Sequence, residues 1–265
     1  ADVLFVHQPR EGAPEDLAHR QAVAIVQEVV RQLAATGPDA IVVDADLRPE
    51  GKNGPLSRSL AGYAAYYERW ALTWEFQALL RARPIGGHRP LWDRFAALID
   101  PLRYPSDGLT STQVRDIRTM KARVESERLP RGADPRTHLK LGRGGLADVE
   151  WTVQLLQLAN AGTVPQLRVS GTLAGLTAAA RGGLLGEEDA ATLEAAYVLA
   201  GRLRNANLLW RGRPGEAVPT DARDADGVGR IIGREPGTGG DLVEDYLRQS
   251  RRARLVVESV FYESR

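Results

Sequence analysis

A chain of 265 residues with a formal net charge of +1 has room for one large domain or two ordinary ones, and it lacks the positive surplus with which nucleic-acid binders meet phosphate. It has no cysteine, which excludes disulfides and cysteine-ligated zinc and fits a reducing, cytoplasmic setting. No apolar run reaches the ~20 residues of a membrane span, and Ala1-Asp2-Val3-Leu4 has neither the basic start nor the long apolar stretch of a signal peptide.

Residues 2–6 are almost all apolar and predict a strand buried on both faces. Pro9, Gly12 and Pro14 make a loop. Ala22, Ile25, Val26, Val29, Val30 and Leu33 recur at helical spacing, and Gly37-Pro38 stops that helix. Residues 40–47 predict a second strand, ended by Pro49 and Gly51. Strand, helix and strand in this order predict an α/β or α+β nucleus.

From residue 57 the pattern is helical. Leu60, Tyr63, Ala64, Tyr67 and Trp70 form one face, and Trp74, Gln77, Ala78 and Arg81 continue it. Trp70 and Trp74, four residues apart, read first as a packing pair and second as a platform for adenine. After the break at Pro84-Ile85-Gly86-Gly87 a helix with Leu91, Phe95, Leu98 and Ile99 runs up to Pro101. Thr110 or Ser111 caps the next, which carries Val114, Ile117, Met120 and Val124. The second half predicts helices over 146–160, 171–181, 187–210 and 241–262. The Gly-, Asp- and Arg-rich residues 211–240 predict a loop, with at most a turn at 228–232. The change from mixed to helical character falls between Pro101 and Pro130, which divides the chain into 1–118 and 119–265.

The acids in the two strands are the chemically suggestive feature. Carboxylates are poor strand residues and are costly to bury unpaired. Residues two apart on a strand share a face, so Asp44 and Asp46 project together, and Asp2 on a neighbouring strand would join them. Such a cluster needs a cation, and oxygen ligands on a rigid frame suit Mg2+. Each acid alone has a plainer reading, Asp46 as a partner of Arg48 and Asp2 as a strand-edge residue. The sequence that follows favours metal binding: Arg48 and Lys52, set in a turn with Pro49, Gly51, Gly54 and Pro55, can hold a triphosphate. Later, Lys140 and Arg143 flank the glycine-rich start of a helix, where free NH groups can bind phosphate. Asp148 and Glu150 in its first turns serve the helix dipole on the plainer reading. His7, His88 and His138 lack metal-ligand spacing and read as surface or capping residues.

Three blocks carry a family resemblance. Val43-Asp44-Ala45-Asp46-Leu47-Arg48-Pro49-Glu50-Gly51 resembles a signature of the glutamine synthetase adenylyltransferases. So do Tyr66-Tyr67-Glu68-Arg69-Trp70 with Trp74-Glu75-Phe76-Gln77-Ala78-Leu79-Leu80-Arg81-Ala82-Arg83-Pro84, and Leu139-Lys140-Leu141-Gly142-Arg143-Gly144-Gly145-Leu146-Ala147-Asp148-Val149-Glu150. The resemblance implies an α+β fold, a polymerase-β-like nucleotidyltransferase domain with a mixed sheet over 1–118 and an all-helical bundle over 119–265. It also implies catalytic acids at Asp2, Asp44 and Asp46, with Mg2+ on Asp2 and Asp44. Asp2 matches the second acid of a Gly-Ser-Asp-x-Asp motif whose first residues would precede Ala1, so residues 1–118 read as an N-terminally truncated domain. Asp44 matches the third acid, which helps deprotonate the attacking hydroxyl; Asp46 departs from the family pattern, where many relatives carry Arg. Arg48, Lys52, Lys140 and Arg143 would meet the nucleotide. The implied activity moves AMP from ATP to a tyrosine hydroxyl of glutamine synthetase, with a PII-type signalling protein as a further partner. The wording Leu47-Arg48-Pro49-Glu50-Gly51 and the ending after one helical segment favour the C-terminal, adding half. The alternatives are the adenylyl-removing half and a docking fragment without chemistry.

Overall fold

The computed structural model describes residues 2–34 and 40–263. It is mostly helical, with one small parallel sheet, and divides into two compact units, Ala1–Arg103 and Tyr104–Arg265. The break at Arg103 and Tyr104 keeps the helix Ser111–Glu127 whole, which a boundary at 118 would cut. None of the described helices is long and apolar enough to cross a membrane.

In the first unit, strand β1 (Val6–His7) pairs in parallel with β2 (Arg58–Ser59), Val6 opposite Arg58 and His7 opposite Ser59. Helix α1 (Glu15–Ala34) follows β1, with acids in its first turn and Arg31 in its last, matching the helix dipole. Ser59 ends β2 and caps helix α2 (Leu60–Arg69) by accepting the Gly62 amide. Helices α3 (Thr73–Leu79) and α4 (Arg89–Arg103) complete the unit. Its core gathers Tyr63, Tyr67, Leu79, Phe95 and Ile99, with Tyr63 and Phe95 edge to face at 5.2 Å.

The two long strands expected at 2–6 and 40–47 do not form. Between these segments there is a single bridge, Asp2 opposite Asp44, with the Val3 amide donating to the Asp44 carbonyl at 2.7 Å. Beyond it Ile41 and Val42 stand 51% and 76% exposed, and at Asp46 the backbone turns away, the Arg48 amide reaching back to the Ala45 carbonyl. A strand persists only where a neighbour takes up its amides. The mixed sheet is therefore reduced to two short strands, and the partner of β1 is a dipeptide too brief to show any periodicity. The Gly37-Pro38 helix stop lies outside the described residues.

Other departures have local causes. Pro101 does not end α4, which runs through it to Arg103; Arg103 anchors that end, donating to the Leu79 and Ala82 carbonyls and the Asp100 carboxylate. Trp70 is not packed. It caps the end of α2 and is 71% exposed.

His7 is half-buried and shares a hydrogen bond with the buried Ser57 hydroxyl at 2.9 Å, while His19 lies with its ring 5.5 Å away. Burial first, and the His19 charge second, hold His7 below the ordinary imidazole range. A folded-state value below the unfolded ~6.5 gives stability that is present above that pH and lost as pH falls below it. The urea midpoint is expected to fall between pH 8 and pH 5, with a shallower fall in His7→Gln.

The second unit is a helical assembly of α5 (Ser111–Glu127), α6 (Leu146–Asn160), α7 (Thr172–Arg181), α8 (Glu187–Arg211), α9 (Ala222–Ile231) and α10 (Gly239–Val257). Helix α10 packs on α8, α9 and α6, around a core of Leu139, Leu146, Leu203, Val228, Leu242 and Tyr246. Helix α5 opens with a capping box in which the Thr110 hydroxyl accepts the Gln113 amide and the Gln113 side chain accepts the Thr110 amide. Thr110→Ala is expected to lower stability by about 1 kcal/mol, read from the urea midpoint at unchanged m.

Helix α9 lies where a loop was expected. Its two internal glycines weaken any helical signal, yet Gly227 is needed there, since a Cβ would stand 2.4 Å from the Trp210 indole. Asp221 caps it by accepting the Arg223 and Asp224 amides, and Asp224 accepts the Trp210 indole NH at 2.9 Å. α10 ends in a π-helical turn, Glu258–Tyr262, so the final helix covers the residues expected of it in two geometries.

Candidate active site

The first unit gathers five of the nominated residues. The bridge between Asp2 and Asp44 sets these two acids directly opposite one another, and both are exposed. Asp44 is oriented from its own chain: its Oδ1 accepts the Asp46 amide at 2.8 Å. Asp46 faces the two cations, with Arg48 Nη1 at 3.6 Å from Oδ1 and Lys52 Nζ at 3.5 Å from Oδ2. Its immediate partners are thus the basic residues that follow it, the plainer of the two sequence readings.

The turn after Asp46 is held from within. Arg48 donates from Nε to the Gly54 carbonyl at 3.0 Å, from Nη1 to that of Ala45 at 2.8 Å and from Nη2 to that of Lys52 at 3.1 Å. Its planar fork clasps both ends of the turn. Glu50 sits in the left-handed region at φ 65, Gly51 follows at φ 57, and Gly54 is pressed so closely on the Pro49 carbonyl that a Cβ would lie 2.0 Å from it. Lys52, by contrast, is 82% exposed. Of the two cations nominated for a triphosphate, Arg48 shapes the turn and Lys52 is the one displayed to solvent.

A single Mg2+ commonly takes one or two carboxylates and completes its octahedron with water and substrate oxygens. Asp2 and Asp44 offer that donor set. Among the described residues no group of three or more His, Asp or Glu closes into an all-protein metal cage.

Lys140 and Arg143 belong to the second unit, exposed on the loop ahead of α6. The glycines of that loop serve close packing. Gly144 adopts φ +70, and a Cβ there would meet the Ser250 carbonyl at 1.9 Å; at Gly142 and Gly145 it would meet the His138 and Leu139 carbonyls at 2.2 and 2.7 Å. The NH groups at the helix start are engaged, those of Gly145, Leu146 and Ala147 with the carbonyls of Gly142, Leu139 and Lys140. The free NH cradle expected from sequence is thus occupied by the loop itself, and a phosphate would meet the side chains of Lys140 and Arg143.

Asp148 does more than serve the dipole. It is 2% exposed, accepts the Gly144 amide on Oδ2 at 2.7 Å, forms an ion pair with Lys121 of α5 and accepts from Arg254 of α10 at 3.0 Å. Lys121, also 2% exposed, reaches Glu125 at 2.5 Å. Burial works against the charge on Asp148, but Lys121, the Gly144 amide and Arg254 outweigh it and hold the carboxyl below its usual range. Glu150 accepts from the Tyr197 hydroxyl of α8 at 3.1 Å. His138 is buried, and its Nδ1 accepts the Leu141 amide at 3.1 Å, a capping role inside the unit.

Two family models match separate parts of the chain. The family model for glutamate-ammonia ligase adenylyltransferase matches residues 1–97, and that for GlnD PII-uridylyltransferase matches residues 118–263. The chain is 56% identical over 263 residues to a bifunctional glutamine synthetase adenylyltransferase/adenylyl-removing enzyme of Streptomyces avermitilis. The chain belongs to the glutamate-ammonia ligase adenylyltransferase family. It is also 54% identical to the enzyme of the same name from Streptomyces coelicolor and 49% identical to that of Mycobacterium avium. These alignments cover 98–99% of the chain but 26% of each relative, so the chain spans about a quarter of their length. These relatives are named for adenylyltransferase and adenylyl-removing activities on glutamine synthetase.

Proposed function

We propose that this chain is the adenylylating, C-terminal type of segment, moving AMP from ATP to a tyrosine hydroxyl of glutamine synthetase in a cytoplasmic setting. The observation that carries this reading is the juxtaposition of Asp2 and Asp44 across one backbone bridge, next to a preformed turn that displays Lys52. The division of labour is the first unit for nucleotidyl transfer and the second as a helical domain bearing Lys140 and Arg143.

Asp2 and Asp44 would hold Mg2+, which when bound offsets negative charge on the phosphates. Asp44, oriented by the Asp46 amide, takes the proton of the tyrosine hydroxyl as its oxygen bonds to the α-phosphorus. The bond to pyrophosphate breaks on the opposite side, and Lys52 steadies the departing phosphates. Asp46 holds Lys52 and Arg48 in register with the acids. Phosphoryl transfer of this type is mostly positioning and electrostatics, and this set supplies both.

The relatives' name joins adding and removing activities, and the same carboxylates suit either direction. Incubation with α-labelled ATP, Mg2+ and glutamine synthetase separates them. Label on a synthetase tyrosine supports the adding reading; phosphate-dependent release of ADP from adenylylated synthetase assigns the removing one. Neither product would leave a docking role, with glutamine synthetase or a PII-type protein, as the surviving alternative.

A further inference from the structure

Two costs meet at one ion pair beside the turn from Arg48 to Gly54. Glu50, alone among the described non-glycine residues, is held at positive φ, a conformation unfavourable to L-residues. Its carboxylate pairs with Arg58 of β2, Nη2 to Oε2 at 3.1 Å. The Arg58 side chain is mostly buried, yet its Nε finds no hydrogen-bond acceptor among the described residues, which is costly for a donor. A methionine would bury a similar stem without that cost. Strain and unpaired donors persist where the surroundings over-determine them, and they concentrate at functional sites. Arg58 is held firmly. Its amide donates to the Phe5 carbonyl at 3.1 Å, and a Cβ at Gly62 would stand only 3.0 Å from its Cγ. Its guanidinium lies over the Tyr66 ring of α2, 5.5 Å from the centroid. By its backbone, therefore, Arg58 joins the segment that leads from Asp2, and by its side chain the turn that bears Lys52.

We propose that Arg58 is a positioning residue for the phosphate-facing turn: it holds Glu50 in its left-handed conformation and so sets where Lys52 stands relative to the acids. This rests on the reading of Lys52 as a phosphate contact given above. Arg58 touches no nucleotide in this scheme. The three bonds from the Arg48 guanidinium all end on residues 45–54, so they shape the turn without fixing it to the sheet. The Glu50–Arg58 pair supplies that tie, from the turn to β2.

The test has two readouts on the whole chain. Arg58→Met keeps an apolar stem beside Gly62 and Tyr66 and removes the charge. Hydrogen exchange at the Gly51, Asn53 and Gly54 amides, which close the turn, is expected to quicken severalfold. The Val3 amide, bonded to the Asp44 carbonyl, should exchange as in the parent. Arg58→Lys keeps a charge for Glu50 and is expected to restore most of the protection. Glu50→Gly takes the left-handed conformation without strain, so adding Arg58→Met to it should quicken exchange no further. Titration with tripolyphosphate in the presence of Mg2+ gives the second readout. Arg58→Met is expected to weaken binding severalfold in the parent and to change nothing in Lys52→Met. Unaltered exchange at the turn in Arg58→Met would overturn the proposal, as would equal quickening at Val3, the mark of a merely structural role. Equal weakening of tripolyphosphate with and without Lys52 would overturn it too. Parental affinity in Lys52→Met alone would instead sink the phosphate role of Lys52, while the exchange rates still decide whether Arg58 holds the turn.

Discussion

Asp148→Ala is expected to destabilise the second unit by roughly 3–5 kcal/mol, the cost of leaving a buried partner charge uncompensated. Lys121 would keep only Glu125, Arg254 would lose one of its carboxylates, and the Gly144 amide would lose its acceptor in a loop where no side chain can be added. The loss should appear in the urea midpoint of the change in helical circular dichroism, the second unit contributing most of the helix. Replacing both charges, as in Lys121→Met with Asp148→Leu, should recover part of it, because apolar residues of similar volume impose no desolvation penalty. If Asp148→Ala unfolds at the parent's midpoint, the network is ornamental. The pH dependence follows from the same geometry. Asp148, held below the unfolded value of ~3.9, contributes stability at neutral pH that is lost only as pH falls below about 4. Lys121 is held above its ordinary range: burial disfavours its charge, yet Asp148 and Glu125 prevail. Its contribution is complete below the unfolded ~10.4 and is lost as pH rises through the higher folded value, so the network is intact between these limits.

Asp44→Asn is expected to reduce AMP transfer about 10³-fold, equivalent to roughly 4 kcal/mol of barrier. The substitution removes a charge and a proton acceptor but keeps an oxygen for the Asp46 amide, so the backbone bridge to Asp2 and the melting temperature should hardly change. That separation of activity from stability makes it the most informative single change. Asp46→Asn should be milder, since Asp46 meets Lys52 and Arg48 at 3.5–3.6 Å and acts through them. Transfer at the parent's rate by Asp44→Asn would end the assignment of this acid as the proton acceptor.

What the sequence revealed depended on how local the cause was. Helices with a cap and a periodic apolar face were legible: Thr110 before α5, and Tyr63 and Tyr67 on α2. Helix α9 was not, because Gly227 and Gly229 suppress the helical signal while tertiary packing against Trp210 requires the first of them. The long strands failed for the opposite reason. Their β-branched runs carry strong propensity, but pairing is a property of neighbours, and only Asp2 and Asp44 find one another. The acids and the turn were recognisable as a unit, whereas the use of Arg48 as a clasp was not, since a basic residue beside glycines looks the same whether it faces phosphate or carbonyls. The partners of Asp148 lie 27 and 106 residues away in the chain, beyond any pattern that spacing can reveal.

That last separation governs the order in which the protein can be made. Glu125 and Asp148 emerge from the ribosome long before Arg254, which closes on them from 129 and 106 residues downstream. At ordinary elongation rates the interval is on the order of ten seconds. Until then α5 and α6 have no α10 to cover them, and their future buried charges stay hydrated. The second unit therefore cannot close before α10 has emerged, and that helix is its latch.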